Sequence, residues 1–328
     1  MKYWHGQSEI PKKWGKCVTT IGVFDGVHLG HSTLIKYAVN LGKLYRVPVV
    51  LMTFDPHPIE IIFPGSYIYQ ITNLTQKAKL AKNLGIDIFF VVPFTSNFMQ
   101  LTPENYIKNL LIKNLNALEV VIGKNFTFGK KATGNVETLH KFGKYLGFGV
   151  KSTPMLMTFN KTRNFVNQVI LSSTLIRSYI NSGEMVKTAL SLGHLYSING
   201  IVIKGKGRGY KIGFPTANIK STVNSAIPSN GIYAAWITIL GNGLKTEGFM
   251  PNRRYLSAVS IGTNQTFHGT NRTIEVFIFN SYANLYGQYV TIEFVRKIRI
   301  QNNFNSVRDL ILTMENDIKI VCAILCGY

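Results

Sequence analysis

Apolar positions in the first half of the chain fall into short continuous runs separated by segments of helical period. Cys17–Val23, Val47–Thr53, Ile86–Val92 and Ala117–Ile122 read as strands. Ser32–Leu44, Thr75–Leu84 and Pro103–Leu115 read as helices, the last opening on a proline where a missing N–H costs nothing. Near-continuous apolar strands alternating with helices predict a parallel sheet covered on both faces. Ligands of such sheets gather at the carboxyl ends of the strands. The pattern changes in the second half. Ile198–Lys204, Ile232–Leu240, Tyr255–Ile261, Thr273–Phe279 and Tyr289–Arg299 are rich in β-branched and aromatic residues, with Gly, Asn and Pro turns between them. They predict an antiparallel barrel, closed by a helix over about Ser306–Ile324. The change falls in the helical stretch Ser182–Gly193, giving expected domains 1–185 and 186–328. The expected fold class is an α/β domain with a Rossmann-like parallel sheet, then an antiparallel β-barrel with a terminal helix.

Composition narrows the class. The 328 residues are 46% hydrophobic and 16% charged, which supports packed cores and argues against disorder. No apolar run approaches the ~20 residues that span a bilayer. The opening MKYWHGQSEIPKKW lacks the apolar middle of a secretory signal. A cytoplasmic protein without a membrane partner is expected, as a monomer or weak oligomer. Cys17, Cys322 and Cys326 are odd in number and lack metal-like spacing, which suits a reducing compartment. Cys322 and Cys326 stand four apart in the last predicted helix and read as small apolar residues. The net charge of +21, from 36 Lys and Arg against 15 Asp and Glu, points to anionic partners. The basic residues are spread along the chain, with no helix-turn-helix, zinc-finger or aromatic-rich RNA pattern, so no specific nucleic acid is expected.

Two segments carry chemistry. GVFDGVHLGH, at 22–31, joins a strand to a helix beginning near Gly30. Gly26 and Gly30 allow close backbone approach, and a helix start presents free N–H groups and a positive dipole end to phosphate. His28 and His31, three apart, share a face there and could donate to phosphate oxygens. A tight turn with two incidental histidines fits the pair alone equally well, and zinc finds no Cys or Glu at ligand spacing. In LSSTLIR, at 171–177, Ser172 and Ser173 stand where helix caps stand, and Thr174 and Arg177 share the first turn. The second segment is IVIKGKGRGYKIGFPTANI, at 201–219. Gly205, Gly207 and Gly209 with Lys204, Lys206, Arg208 and Lys211 suit a cationic cradle for polyphosphate. By itself that stretch reads first as a mobile surface loop. Thr216 and Asn218, two apart on an extended segment, could reach one hard cation such as Mg²⁺. In TIEVFIFN, at 273–280, Glu275 is the only acid of an apolar strand, where a carboxylate has either a partner or a chemical role. Glu293, also on a strand, reads as solvated.

H-x-G-H after a strand, preceded by F-D-G, resembles the bacterial bifunctional riboflavin kinase/FAD synthetases. FDPHP at 54–58, IGKNFTFG at 122–129, LSSTLIR at 171–177, GFPTAN at 213–218, SIGTNQTF at 260–267, TIEVFIFN at 273–280, LYGQYVTIEF at 285–294 and IRIQNNF at 298–304 are similar to further family segments in the family's order. The resemblance implies that the first half transfers AMP from ATP to FMN, releasing pyrophosphate and giving FAD without a covalent enzyme intermediate. It implies that the second half phosphorylates riboflavin to FMN with ATP and Mg²⁺. His28, His31 and Glu275 are the implied catalytic residues, Glu275 as general base toward the ribityl 5′-hydroxyl. Gly22, Phe24, Asp25, Gly26, Gly30, Ser172, Ser173, Thr174 and Arg177 are implied to hold ATP in the first half. Gly205, Lys206, Gly207, Arg208 and Lys211 would do so in the second, with Thr216 and Asn218 as metal ligands. Phe54, His57, Asn125, Phe126, Phe128 and Arg299 are implied flavin contacts. Riboflavin, FMN, FAD and ATP are the implied small-molecule partners.

The chain departs from the family pattern in places. Asn125 stands where Asp is usual, Thr127 replaces a basic residue, and Ala132 and Asn135 replace Arg and Asp. In the second half Tyr210, Gln265 and Asn280 replace Arg, Pro and Asp. Three rival readings follow: a kinase with a degenerate, regulatory first domain, a basic nucleic-acid-binding protein, and a non-catalytic flavin carrier.

Overall fold

Six strands are hydrogen-bonded side by side in the first half, all parallel: β1 (Lys2–His5), β2 (Cys17–Ile21), β3 (Val49–Asp55), β4 (Ile88–Pro93), β5 (Ala117–Gly123) and β6 (Gly149–Thr153), in the order β1-β4-β3-β2-β5-β6. The computed structural model describes all residues but 162–165, 206, 222–223, 242–248, 267–268, 280–283, 303, 305 and 328. The chain packs as two units, Met1–Ser173 and Thr174–Tyr328. Strand parity divides the core of the first unit into two layers. Val50 and Met52 face one, with Phe90, Leu110 and Leu139. Leu51 and Val49 face the other, with Phe89, Leu34 and Ala38. Helices Leu29–Tyr45 and Leu74–Asn83 cover the second layer. Both faces are therefore sealed, and β2, CVTTI, is buried throughout.

From β2 the chain adds β3 and β4 on one side, then crosses to place β5 on the other. The carboxyl ends of β2 and β5 form the topological switch point, where an open α/β sheet leaves a crevice. Several elements differ from the sequence expectation. Pro103–Leu115 starts as one helical turn, Pro103–Asn105, capped by Thr102, and continues as a π-helix over Tyr106–Asn114. Within it Tyr106, Ile107, Leu110 and Leu111 are buried, and Leu115 is buried just after it. β1 and β6 sit at the two edges, where a strand needs fewer apolar residues; β1 buries Trp4 alone. An antiparallel ribbon, β7 (Met157–Lys161) with β8 (Val166–Ile170), completes the strands of this unit.

The second unit is a closed antiparallel barrel of β9 (Tyr196–Ile203), β10 (Thr216–Ser221), β11 (Gly231–Ile239), β12 (Arg254–Thr266), β13 (Gly269–Ile278) and β14 (Tyr289–Arg299), in the order β10-β13-β12-β11-β14-β9. β9 alternates buried and half-buried positions, as a barrel wall must. Helix Val307–Leu325 packs on the barrel and is capped by Ser306, whose hydroxyl accepts from the Asp309 N–H at 3.1 Å. β10 carries TAN of GFPTAN and closes the ring between β13 and β9. The Gly-Lys stretch before it holds a short helical turn, Arg208–Lys211.

Candidate active sites

A cavity of about 260 Å³ opens at the switch point of the first unit. Gly22 and Phe24 after β2, Asn125 and Phe126 after β5, Met155 and Leu156 after β6, and Ser172 and Ser173 border it, with His28, Gly30 and His31. His28 is the N-cap of helix Leu29–Tyr45: its Nδ1 accepts from the backbone N–H of His31 at 3.3 Å. An imidazole that accepts on Nδ1 and is neutral carries its proton on Nε2, so His28 is a donor. The two imidazoles stack with centroids 3.7 Å apart. The Phe24 ring meets His31 edge-on at 5.2 Å. A Cβ at Gly30 would lie 3.1 Å from the His28 ring, so a side chain there would press on the stack. Burial pushes His28 down to about 4, against a smaller opposing pull from Asp25. Burial first, then His28 and Lys77, hold His31 well below the usual histidine range.

These shifts make the first unit acid-sensitive. A histidine with a lowered folded-state pKa binds fewer protons folded than unfolded, so its contribution is full above about pH 6.5 and is lost as pH falls toward 4. From His28 alone, stability is expected to drop by about 2 kcal/mol between pH 7.5 and pH 5. Thermal melts at the two pH values check this: His28→Asn should narrow the gap, and an unchanged gap refutes the assignment.

The structure assembles only part of the predicted set around this cavity. Asp25 points inward instead: its carboxylate accepts from the backbone N–H groups of Ile71 and Thr72, both at 3.0 Å. The Gly26 N–H donates to Thr72 Oγ1 at 2.8 Å, and Ser173 Oγ donates to the Asp25 carbonyl at 2.8 Å. Asp25 and Gly26 thus pin the loop from behind. Phe54, His57 and Phe128 do not border the cavity. Phe54 packs on Phe94 and Phe98, and His57 caps helix Pro58–Ile62 through Nδ1. Phe128 is buried against Tyr106 with centroids 4.9 Å apart. Phe126 borders the cavity and stacks on Phe128 with centroids 5.7 Å apart, so Phe128 lies behind it, on the core side. Thr174 and Arg177 stand on helix Ser173–Ser182, in the second unit. Asn135 caps helix Val136–Leu146, accepting from the Thr138 N–H at 2.9 Å. Asn caps as well as Asp, so that departure leaves the cap intact.

In the barrel, Thr216 and Asn218 share one side of β10, and Glu275 on β13 stands directly across from Asn218. Thr216 Oγ1 donates to Glu275 Oε2 at 3.4 Å. A Cβ at Gly205 would strike the Asn218 amide, so a side chain there would displace that amide. A cavity of about 270 Å³ is bordered by Thr216, Ser260 and Glu275, by apolar Ile232, Phe277 and Met314, and by Arg299. Arg299 is fixed by Asp317 from the last helix, donating through Nε at 2.9 Å and through a terminal nitrogen at 2.6 Å. Asp317 carries no motif signal; its acid on the buried side of an amphipathic helix was the available hint. A second cavity, of about 240 Å³, is bordered by Tyr210, Pro215, Ala217, Val276 and Tyr286, and Thr216 touches both. Glu293 is paired with Arg254 at 2.8 Å on the barrel wall. Lys206, Asn280 and the side chains of Arg208, Lys211 and Gln265 lie outside the described residues.

Known proteins match both halves. A family model described as FAD synthetase matches residues 10–166, and one described as riboflavin kinase matches residues 192–325. A bifunctional riboflavin kinase/FMN adenylyltransferase of Buchnera aphidicola from Acyrthosiphon pisum is 32% identical over 98% of this chain and 97% of its own. The protein of that description from Listeria monocytogenes is 34% identical over 92% and 90%. A crystal structure described as a macrolide-efflux protein from Streptococcus pneumoniae superposes with a TM-score of 0.83 at 27% identity, covering 98% of this chain and 99% of that one. Among the described residues no helix is long and apolar enough to cross a membrane. With both units matched in order and relatives above 30% identity along nearly the whole length, the chain belongs to the bifunctional riboflavin kinase/FMN adenylyltransferase family.

Proposed function

We propose that this chain phosphorylates riboflavin to FMN in its barrel and transfers AMP from ATP to FMN in its parallel-sheet unit. The observation that carries the reading is that each unit gathers its principal motif residues at one cavity: the His28–His31 stack in the first, Thr216 and Glu275 in the second. In the kinase step the ribityl 5′-hydroxyl oxygen attacks the γ-phosphorus of ATP, Glu275 takes the hydroxyl proton, and ADP leaves. The apolar cavity takes the flavin ring, Arg299 meets its polar edge, and the cavity beside Tyr210 takes the nucleotide. Thr216 and Asn218, on one side of β10, offer a hydroxyl and an amide oxygen that fit Mg²⁺. When bound, that ion would neutralise charge on the ATP phosphates.

In the second step an FMN phosphate oxygen attacks the α-phosphorus, and the bond to pyrophosphate breaks. His28 and His31 donate neutral hydrogen bonds to phosphate oxygens as charge shifts to the leaving group. Asn125 and Phe126 face the flavin side of the site, and Ser172 and Ser173 hold the distal phosphates. Both activities are assigned within domains 1–185 and 186–328. The three free cysteines suit a reducing cytoplasm. One chromatographic assay starting from riboflavin, ATP and Mg²⁺ tests the reading, with FMN and then FAD expected. Arrest at FMN removes the adenylyl-transfer assignment, and absence of FMN removes the kinase.

A further inference from the structure

Lys77 occupies a position where the sequence pattern asks for an apolar residue. It lies on the inward stripe of helix Leu74–Asn83 with Ala78 and Ala81, at 5% exposure. A buried ammonium is costly unless its donors and its charge are met. Its Nζ donates to the Val23 carbonyl at 2.7 Å, and Thr53 Oγ1 donates to the same oxygen at 3.0 Å. Asp25 and Asp55 supply opposite charge.

Val23 stands at the head of the loop that carries the two histidines. Within that loop Phe24 and Val27 adopt left-handed backbone, with φ of 50° and 41°. For a β-branched residue such as Val27 this conformation is strained, and it persists where the surroundings over-determine it. Asp25, Gly26 and Ser173 supply hydrogen bonds on one side of the loop. Lys77 and Thr53 secure its start. Phe24, set by that start, is the ring against which His31 packs.

We propose that Lys77 is a positioning residue for adenylyl transfer: its buried ammonium clamps the Val23 carbonyl and so holds the strained loop that stacks His28 on His31 at the cavity. The proposal rests on the adenylyl-transfer reading for its activity measurement alone. A second consequence follows from its charge. The titratable groups acting on His31 are His28 in its own loop and Lys77 from the neighbouring helix, while Asp25 acts on His28 and on Lys77, and Asp55 acts on Lys77. Removing the Lys77 charge therefore raises the His31 titration midpoint.

The test compares full-length wild type, Lys77→Met and Lys77→Arg. Lys77→Met is expected to lower FAD formation from FMN by ~30-fold, the scale of a misplaced reacting group, with FMN formation from riboflavin unchanged as the folding control. Ring NMR of His31 is expected to show a raised midpoint in the Met variant and a wild-type midpoint in the Arg variant. Lys77→Arg keeps the charge but moves the donor, so FAD formation is expected to fall by ~5-fold. FAD formation in Lys77→Met within ~3-fold of wild type overturns the proposal, as does an unmoved His31 midpoint. If Lys77→Met does not fold, Lys77→Arg decides, and full FAD formation there overturns it. If wild type forms no FAD, the adenylyl-transfer reading fails separately. The ring-proton contact between His28 and His31 then decides: its loss in Lys77→Met supports the clamp, and its persistence overturns it.

Discussion

Glu275→Gln is expected to lower FMN formation from riboflavin by ~10²–10⁴-fold, the usual worth of a positioned general base. FAD formation from added FMN should be unchanged. Gln keeps the length and shape of the side chain and can still accept from Thr216, so the barrel should melt at its wild-type temperature. What it loses is the ability to take a proton from the attacking hydroxyl. Glu275 is well placed to be that base. Its strand sets it across from Asn218 on one side and Ser260 on the other, both polar, while Phe277 two positions on presents an apolar wall. FMN measured by chromatography at saturating ATP and Mg²⁺ reads the effect. A loss below ~5-fold would exclude Glu275 as the base and leave it as a phosphate or metal contact.

His28→Asn separates two duties that one residue holds. Asn is as good an N-cap as any side chain, so helix Leu29–Tyr45 should keep its start; Ala there would cost ~1 kcal/mol. The Nε2–H donor is gone, however, and FAD formation from FMN is expected to fall by ~10²–10³-fold, the cost of removing one preorganised donor. FMN formation should not change. A His28→Asn enzyme that makes FAD at more than a tenth of the wild-type rate would show that His28 serves the helix and not the reaction.

The departures from the family pattern look different once side chains have places. Asn135 keeps its helix cap, so replacing Asp there changes a charge and little else. Asn125 stays at the cavity, where its amide can donate as well as accept. The rival reading of a degenerate first domain loses much of its motive, because the histidine stack and its supporting loop are complete.

Local pattern alone determined the two fold classes and most of the strands. A sheet sealed on both faces requires continuous apolar runs, and a barrel requires short alternating ones, so each architecture is written in its hydrophobic period. Edge strands β1 and β6 escaped because an edge buries little, and the π-helix escaped because its buried residues, Tyr106, Ile107, Leu110 and Leu111, fall at ordinary α-helical spacing. Sequence also singled out His28 and His31 at a glycine-bearing strand-to-helix turn, Thr216 and Asn218 two apart on an extended segment, and Glu275 as the one acid of an apolar strand. Tertiary structure decided the direction in which side chains face. Asp25 sits in the same loop as the histidines yet turns to the Ile71 and Thr72 amides, and Phe128 turns from the site while Phe126 meets it. Lys77 and Asp317 acquired their partners from residues 54 positions and 18 positions away in sequence. A buried charge is defined by what compensates it, and that compensation comes from other elements of the fold.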